Sequence, residues 1–221
     1  MPAYIAIEGP IGVGKSTLAR ALARRFNAEL ILEPVDENPF LSDFYQDRER
    51  LAFQTQLFFL LNRFQQQEKF AQPGLFNPRF VGDYLFAKDQ IFASLTLSRD
   101  ERALYDQVYG LLAERVPKPD LVIYLQASTE ILLQRIEKRG REFERDMDPE
   151  YLKNLSRLYN DFFFGYNETP LLVIQTGNVD FASSQEDLDL VIETIDKMPG
   201  GTHYLVVARD SEGDGPLGRT N

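Results

Sequence analysis

The chain has 221 residues, 43% hydrophobic and 26% charged, as expected of one soluble folded domain with a sizeable core. Its net charge of -10 argues against non-specific partnership with nucleic acid or anionic membranes, and the absence of cysteine excludes disulfides and thiolate metal sites. No signal peptide is visible and no apolar run nears the roughly 20 residues that span a bilayer, so a cytoplasmic protein is expected.

The first predicted element is a buried strand, Ala3-Tyr4-Ile5-Ala6-Ile7, and the segment Thr17 to Phe26 reads as a helix with leucines and alanines on one side. Between them runs Gly9-Pro10-Ile11-Gly12-Val13-Gly14-Lys15-Ser16, a P-loop pattern in its required strand-loop-helix setting. Glycines let consecutive N–H groups turn towards phosphate oxygens, and the helix N-terminus adds positive potential. Lys15 supplies a point charge, the Ser16 hydroxyl can ligate Mg²⁺, and Thr17 completes the cradle. A nucleoside triphosphate ligand is expected.

Glu29 to Glu33 reads as a short second strand stopped by Pro34. A long helix follows from about Arg48 to Phe70, with Leu51, Phe58, Leu61 and Phe64 as its apolar set and Gln65-Gln66-Gln67 on a solvated face. Pro73-Gly74 and Asn77-Pro78 break it. Arg79 to Asp83 is a third strand ending in a carboxylate, followed by helices over roughly 85–95 and 99–115. The second of these opens on the capping box Ser98-Arg99-Asp100-Glu101. Leu121 to Leu125 is a fourth strand and Ser128 to Lys138 an amphipathic helix. Asp148-Pro149 starts another helix, Leu171 to Ile174 is the fifth strand, and Ser184 to Met198 the last helix. Beyond Pro199 the composition is Gly-, Asp- and Ser-rich. Residues 199–221 are read as a flexible tail with room for a short strand at Tyr204 to Ala208, and 1–198 as a single domain. His203, the lone histidine, is read as a surface residue.

Strands alternating with helices predict a five-stranded parallel sheet covered on both faces. Right-handed crossovers bring the strand C-termini to one edge, where ligands bind. Gly9, Glu33 and Asp83 all fall there. The guanine-reading Asn-Lys-x-Asp of GTPases is absent. Glu33-Pro34-Val35-Asp36 sets an acid beside the phosphate site, and Arg135, Arg139 and Arg141 cluster at a helix end broken by Gly140. That cluster also suits the helix macrodipole without any ligand.

The P-loop, the Glu-Pro-Val element, the series Tyr45…Gln56…Arg63 and the Arg-Gly-Arg segment together resemble the deoxyribonucleoside kinases, most closely their bacterial deoxyadenosine/deoxyguanosine branch. The resemblance spans about residues 3–176. It implies a P-loop kinase with an arginine-rich lid that moves the γ-phosphoryl group of ATP to a deoxynucleoside 5′-hydroxyl. By that resemblance Glu33 is the catalytic base, Asp83 and Ser16 hold Mg²⁺, and Lys15, Arg135, Arg139 and Arg141 stabilise the transferring charge. Gln56 is the base-reading glutamine, Arg63 and Asp89 a second base-contacting pair, and Tyr45 and Glu144 the pair for the sugar 3′-hydroxyl. Phe92 is a candidate for stacking on the base, or a core aromatic. The family's arginine after the acidic residue is missing at Tyr84, where a lid arginine or Lys88 could substitute unless the alignment slips by one. The Asp-Tyr variant tilts the substrate towards purines. Resemblance also implies a homodimer through helices between strands two and four. A thymidylate-kinase-like enzyme is the nearest alternative, and a non-catalytic ATP-binding regulator the alternative of another class.

Overall fold

The computed structural model describes residues 2–70, 79–181, 183–208 and 217–219. Strand β1 (Tyr4–Glu8) is buried along Ile5, Ala6 and Ile7, as a strand covered on both faces must be. It pairs in parallel with β3 (Phe80–Gly82) on one side and β4 (Leu121–Gln126) on the other. β2 (Glu29–Ile31) lies outside β3, and β5 (Leu171–Gln175) and β6 (Thr202–Ala208) follow β4, all parallel. β7 (Leu217–Arg219) closes that edge antiparallel, giving the order β2-β3-β1-β4-β5-β6-β7.

The sheet thus has six parallel strands and one antiparallel strand, not the five expected, and it continues past residue 198. Within β6, Leu205 and Val207 are buried while Tyr204 and Val206 are exposed, a period-two pattern too short to stand out among glycines and acids. The open edge of β5 turns this stretch into a strand.

Helices α1 (Lys15–Phe26), α2 (Leu41–Gln46), α3 (Arg48–Phe70), α4 (Lys88–Thr96), α5 (Arg99–Ala113), α6 (Thr129–Arg139), α7 (Pro149–Phe164) and α8 (Gln185–Lys197) fill the connections. Local chemistry places several of their ends. Ser98 and Glu101 form the predicted capping pair at 2.9 Å, Asp148 caps α7 ahead of Pro149, and Gly140 ends α6 at φ 69°. The predicted breaks at Pro73-Gly74 and Asn77-Pro78 lie outside the described residues. Helix α4 starts at Lys88 rather than 85, so Asp83 is not its cap. The main core flanks the sheet, while Leu60, Phe64, Phe86, Ala93 and Tyr105 form a second core among α3, α4 and α5. No helix among the described residues is long and apolar enough to cross a membrane.

Glu8 ties the ligand edge together. It is fully buried at the end of β1 and accepts hydrogen bonds from Gly9 N–H (2.8 Å), Leu85 N–H (2.9 Å) and the Tyr159 hydroxyl (3.0 Å). One carboxylate therefore joins the glycine loop, the segment after β3 and helix α7. Removing it strands three buried donors at once, each worth about 1–3 kcal/mol. Glu8→Ala is expected to lower unfolding free energy by about 3 kcal/mol or more, read as a fall in the urea midpoint with the m-value unchanged.

Candidate active site

The Gly9–Ser16 loop turns through backbone angles that favour glycine, with Gly9 at φ 151°, Gly12 at φ 84° and Gly14 at φ 107°. A Cβ on Gly9 would fall 2.4 Å from the Leu125 carbonyl oxygen, and one on Gly12 2.8 Å from that of Leu132. The loop can therefore sit close against β4 and α6 only with glycine at these positions. No side chain caps the N-terminus of α1, leaving its first N–H groups to an anion. Lys15 Nζ instead donates to the carbonyls of Gly9 (2.7 Å) and Pro10 (3.1 Å).

A cavity of about 1040 Å³ opens over this edge. Ile11 through Thr17 line it, while Gly9 and Pro10 lie beneath as Lys15 acceptors. Glu33, Tyr45, Gln56, Arg63, Asp83, Phe92, Arg135, Arg139, Arg141 and Glu144 also face it. Of the predicted substrate residues only Asp89 does not. It is buried behind Arg63, which it pairs with, so it reaches the cavity only through that guanidinium.

Glu33 stands two residues past β2, because its strand ends early. The Leu32 carbonyl accepts from Gln66 Nε2 (3.2 Å) and the Glu33 N–H donates to Asp83 Oδ1 (2.8 Å), which takes both groups out of the sheet ladder. Arg63 donates to Glu33 Oε1 through Nε (2.8 Å) and Nη2, and Lys88 Nζ donates to Oε2 (2.8 Å). Burial alone would raise the Glu33 carboxyl, but Arg63 and Lys88 outweigh it and hold it well below the usual carboxylate range. Glu33 therefore stays ionised. Asp89 goes the other way: burial, against the pull of Arg63 and helped by Glu33, pushes it up to about 7.

Ser16 donates from Oγ to Asp83 Oδ2 at 2.5 Å. Burial raises the Asp83 carboxyl, with the Ser16 hydroxyl opposing. These are two hard oxygen donors within reach of one cation. Among the described residues no group of three or more His, Cys, Asp or Glu side chains forms a complete metal cage. The donor set suits Mg²⁺, which takes one or two protein oxygens and completes its shell with phosphate oxygens and water.

The arginines are held differently from one another. Arg135 donates to Thr176 (2.9 Å to Oγ1, 2.6 Å to O) and to the Val13 carbonyl (3.1 Å), so it ties α6 to the glycine loop. Arg139 pairs with Glu144 at 2.5 Å, and Arg141 lies 3.7 Å from Glu144 and 3.9 Å from Asp36. Glu144 and Tyr45 come together at that end, where Tyr45 stacks on Phe143 with centroids 6.0 Å apart. Gln56 is buried, with its amide making no protein hydrogen bond among the described residues, whereas Gln54 is exposed. Phe92 packs edge-on against Tyr159 and still lines the cavity.

Sequence reasoning missed three features: the Arg63–Glu33 contact, helix α2, which carries Tyr45, and the wall Gly177–Phe181 after β5. The wall had a usable signal, since it follows a strand C-terminus at the ligand edge. The expected solvated glutamine run also divides: Gln65 is exposed, Gln66 bonds Leu32 and the Tyr84 hydroxyl, and Gln67 is buried.

A glycine loop, an ionised acid and three arginines thus face one cavity large enough for a nucleotide. A family model described as deoxynucleoside kinase matches residues 5–198, and the chain belongs to that family. It is 37% identical over 193 residues to a deoxyguanosine kinase of Bacillus subtilis, covering 85% of this chain and 93% of that one. It is 33% identical over 199 residues to a deoxyadenosine/deoxycytidine kinase of the same organism, covering 86% and 90%. A solved deoxyadenosine kinase from M. mycoides with bound dCMP and dCDP superposes with a TM-score of 0.76 at 26% identity, over 88% of this chain and 100% of that one. The family is one of ATP-dependent kinases acting on deoxynucleosides.

Burial, aided by the neighbouring Lys88 charge, lowers Lys15 to about 8. A lysine is charged below its pKa, so the free enzyme loses this cation as pH rises through that value. In pH–rate measurements kcat/KM for ATP is expected to fall above about pH 8, while kcat, reporting the nucleotide-bound form, falls at higher pH.

Proposed function

We propose that this chain phosphorylates the 5′-hydroxyl of purine deoxynucleosides with Mg²⁺–ATP, working in the cytoplasm as a homodimer. One observation carries the reading: the ionised Glu33 carboxylate faces the same cavity as the Gly9–Ser16 loop, beside Ser16 and Asp83. The loop N–H groups and Lys15 hold the triphosphate. Ser16 and Asp83 would hold Mg²⁺, which would supply charge neutralisation at the phosphates. Glu33 accepts the acceptor's proton as its oxygen attacks the γ-phosphorus. Arg135, Arg139 and Arg141 stabilise charge on the equatorial oxygens and exclude water, the competing acceptor.

On the acceptor side the unpartnered Gln56 amide offers one donor and one acceptor to a base edge. Arg63, backed by Asp89, gives a second contact, Phe92 offers a face for stacking, and Tyr45 with Glu144 takes the 3′-hydroxyl. Both relatives' names include a purine deoxynucleoside, one of them beside deoxycytidine, which supports a purine acceptor. Leu61, Leu104 and Leu111 on α3 and α5 are 41%, 51% and 76% exposed, which supports a dimer through those helices. Family membership weighs against both the monophosphate-kinase and the regulator readings.

Incubating the chain with Mg²⁺–ATP and separate deoxynucleosides, then weighing the products, is expected to give dGMP and dAMP. Products only from nucleoside monophosphates, or ADP release without a phosphorylated acceptor, would overturn the reading. Glu33→Gln is expected to cut turnover by about 10²- to 10⁴-fold while leaving ATP affinity within a few-fold. Unchanged turnover removes Glu33 from the mechanism.

A further inference from the structure

We infer that Lys88 is the positioning residue for the Glu33 carboxylate, and that its remaining N–H donors serve the phosphoryl group in transit. The inference rests on the reading in the preceding subsection. It begins with a residue that is not a cation. Tyr84, directly after Asp83, is buried with its hydroxyl donating to Gln66 Oε1 at 2.9 Å, and it does not line the cavity. Arg63 covers Glu33 Oε1, so positive charge beside Oε2 arrives from elsewhere in the chain.

Lys88 supplies it. The residue opens α4 and is only 4% exposed, yet its side chain lines the cavity. A lysine so buried is costly unless its charge has a partner. Its Nζ lies 2.8 Å from Glu33 Oε2 and 5.5 Å from the Phe92 ring centroid, a contact that holds the ammonium laterally.

Counting acceptor sites assigns the two carboxylate oxygens different tasks. Each oxygen of an ionised carboxylate offers about two lone-pair directions. Arg63 Nε and Nη2 both donate to Oε1 and fill it. Oε2 receives Lys88 alone among the described residues, so it keeps one direction open for a substrate hydroxyl. Lys88 thus acts on the very oxygen that accepts the proton.

Arg63 cannot take over this work. Three of its five N–H donors go to Glu33 Oε1 and Asp89 Oδ1, none to Glu33 Oε2, and the guanidinium is locked between the two carboxylates. Among the described residues Lys88 donates one of its three N–H bonds, to Glu33, which leaves two for an anion in the cavity. Lys15 approaches the same space from the loop side, close enough for the two ammonium charges to be felt by each other.

The test compares Lys88→Met, Lys88→Gln and Lys88→Arg in the full chain, measuring kcat, KM for deoxyguanosine and the equilibrium affinity for Mg²⁺–ATP. An interaction made mainly in the transition state lowers kcat and leaves ground-state binding alone. Lys88→Met is expected to lose about 100-fold in kcat, the size seen when one preorganised donor is removed. KM and ATP affinity are expected to stay within about threefold, and Lys88→Arg to regain at least about tenfold. Should Lys88→Met not fold by circular dichroism, the Gln and Arg variants carry the same comparison. A neutral variant with near-wild-type kcat, a loss confined to KM or ATP affinity, or an arginine variant no better than the neutral one overturns the inference. A wild-type chain that phosphorylates no deoxynucleoside overturns the parent reading instead, and this one with it.

Discussion

Four titratable side chains are taken out of water together at the floor of the cavity, and the placement of the surrounding elements follows from keeping them paired. Glu33 and Asp89 bring two carboxyl groups, Arg63 and Lys88 their basic partners. Desolvating any one alone costs several kcal/mol, so the set is tolerable only complete. Its members come from the loop after β2, from α3 and from α4, and pairing them fixes how those elements pack. The balance is tight but not uniform. Asp89 Oδ2 has no hydrogen-bond partner among the described residues, which is where burial weighs most on a carboxylate.

On the opposite wall a lysine occupies the carbonyls of its own loop. Lys15 closes the Gly9–Ser16 turn on Gly9 and Pro10, and Ser16 is engaged with Asp83. Both contacts use groups that suit phosphate and Mg²⁺. The proposed Mg²⁺–ATP would trade internal hydrogen bonds for stronger, charge-assisted ones rather than create them from solvated groups. The loop is preorganised, so less ordering cost falls on the binding step. Arg135 adds a tie from α6 to the Val13 carbonyl, coupling the arginine-bearing helix to the same loop.

Helix α3 shows why part of the site was hard to see. Its inward face carries Thr55, Gln56, Arg63 and Gln67, all buried, while Leu61 points outward. A reading that assigns apolar residues to the interior misplaces Leu61 and overlooks these polar positions. Buried polar side chains on one side of a helix and an exposed leucine on its back suit a ligand face and a partner surface. β6 was legible only as room for a short strand at Tyr204 to Ala208, because its alternation covers few residues and the unpaired edge of β5 completes it.

What the amino-acid order determined unaided is local. The glycine loop, the helix caps at Ser98 and Asp148, the stop at Gly140 and the buried runs of β1, β4 and β5 depend on residues a few positions apart. Backbone sterics and short-range hydrogen bonds settle these before any distant contact forms. The environment of Glu33 was decided only by folding. Its cationic partners lie 30 and 55 residues away, on two helices whose packing around a shared core brings them to one carboxylate. Charge burial is a property of the assembled interior, and no spacing along a chain encodes it directly.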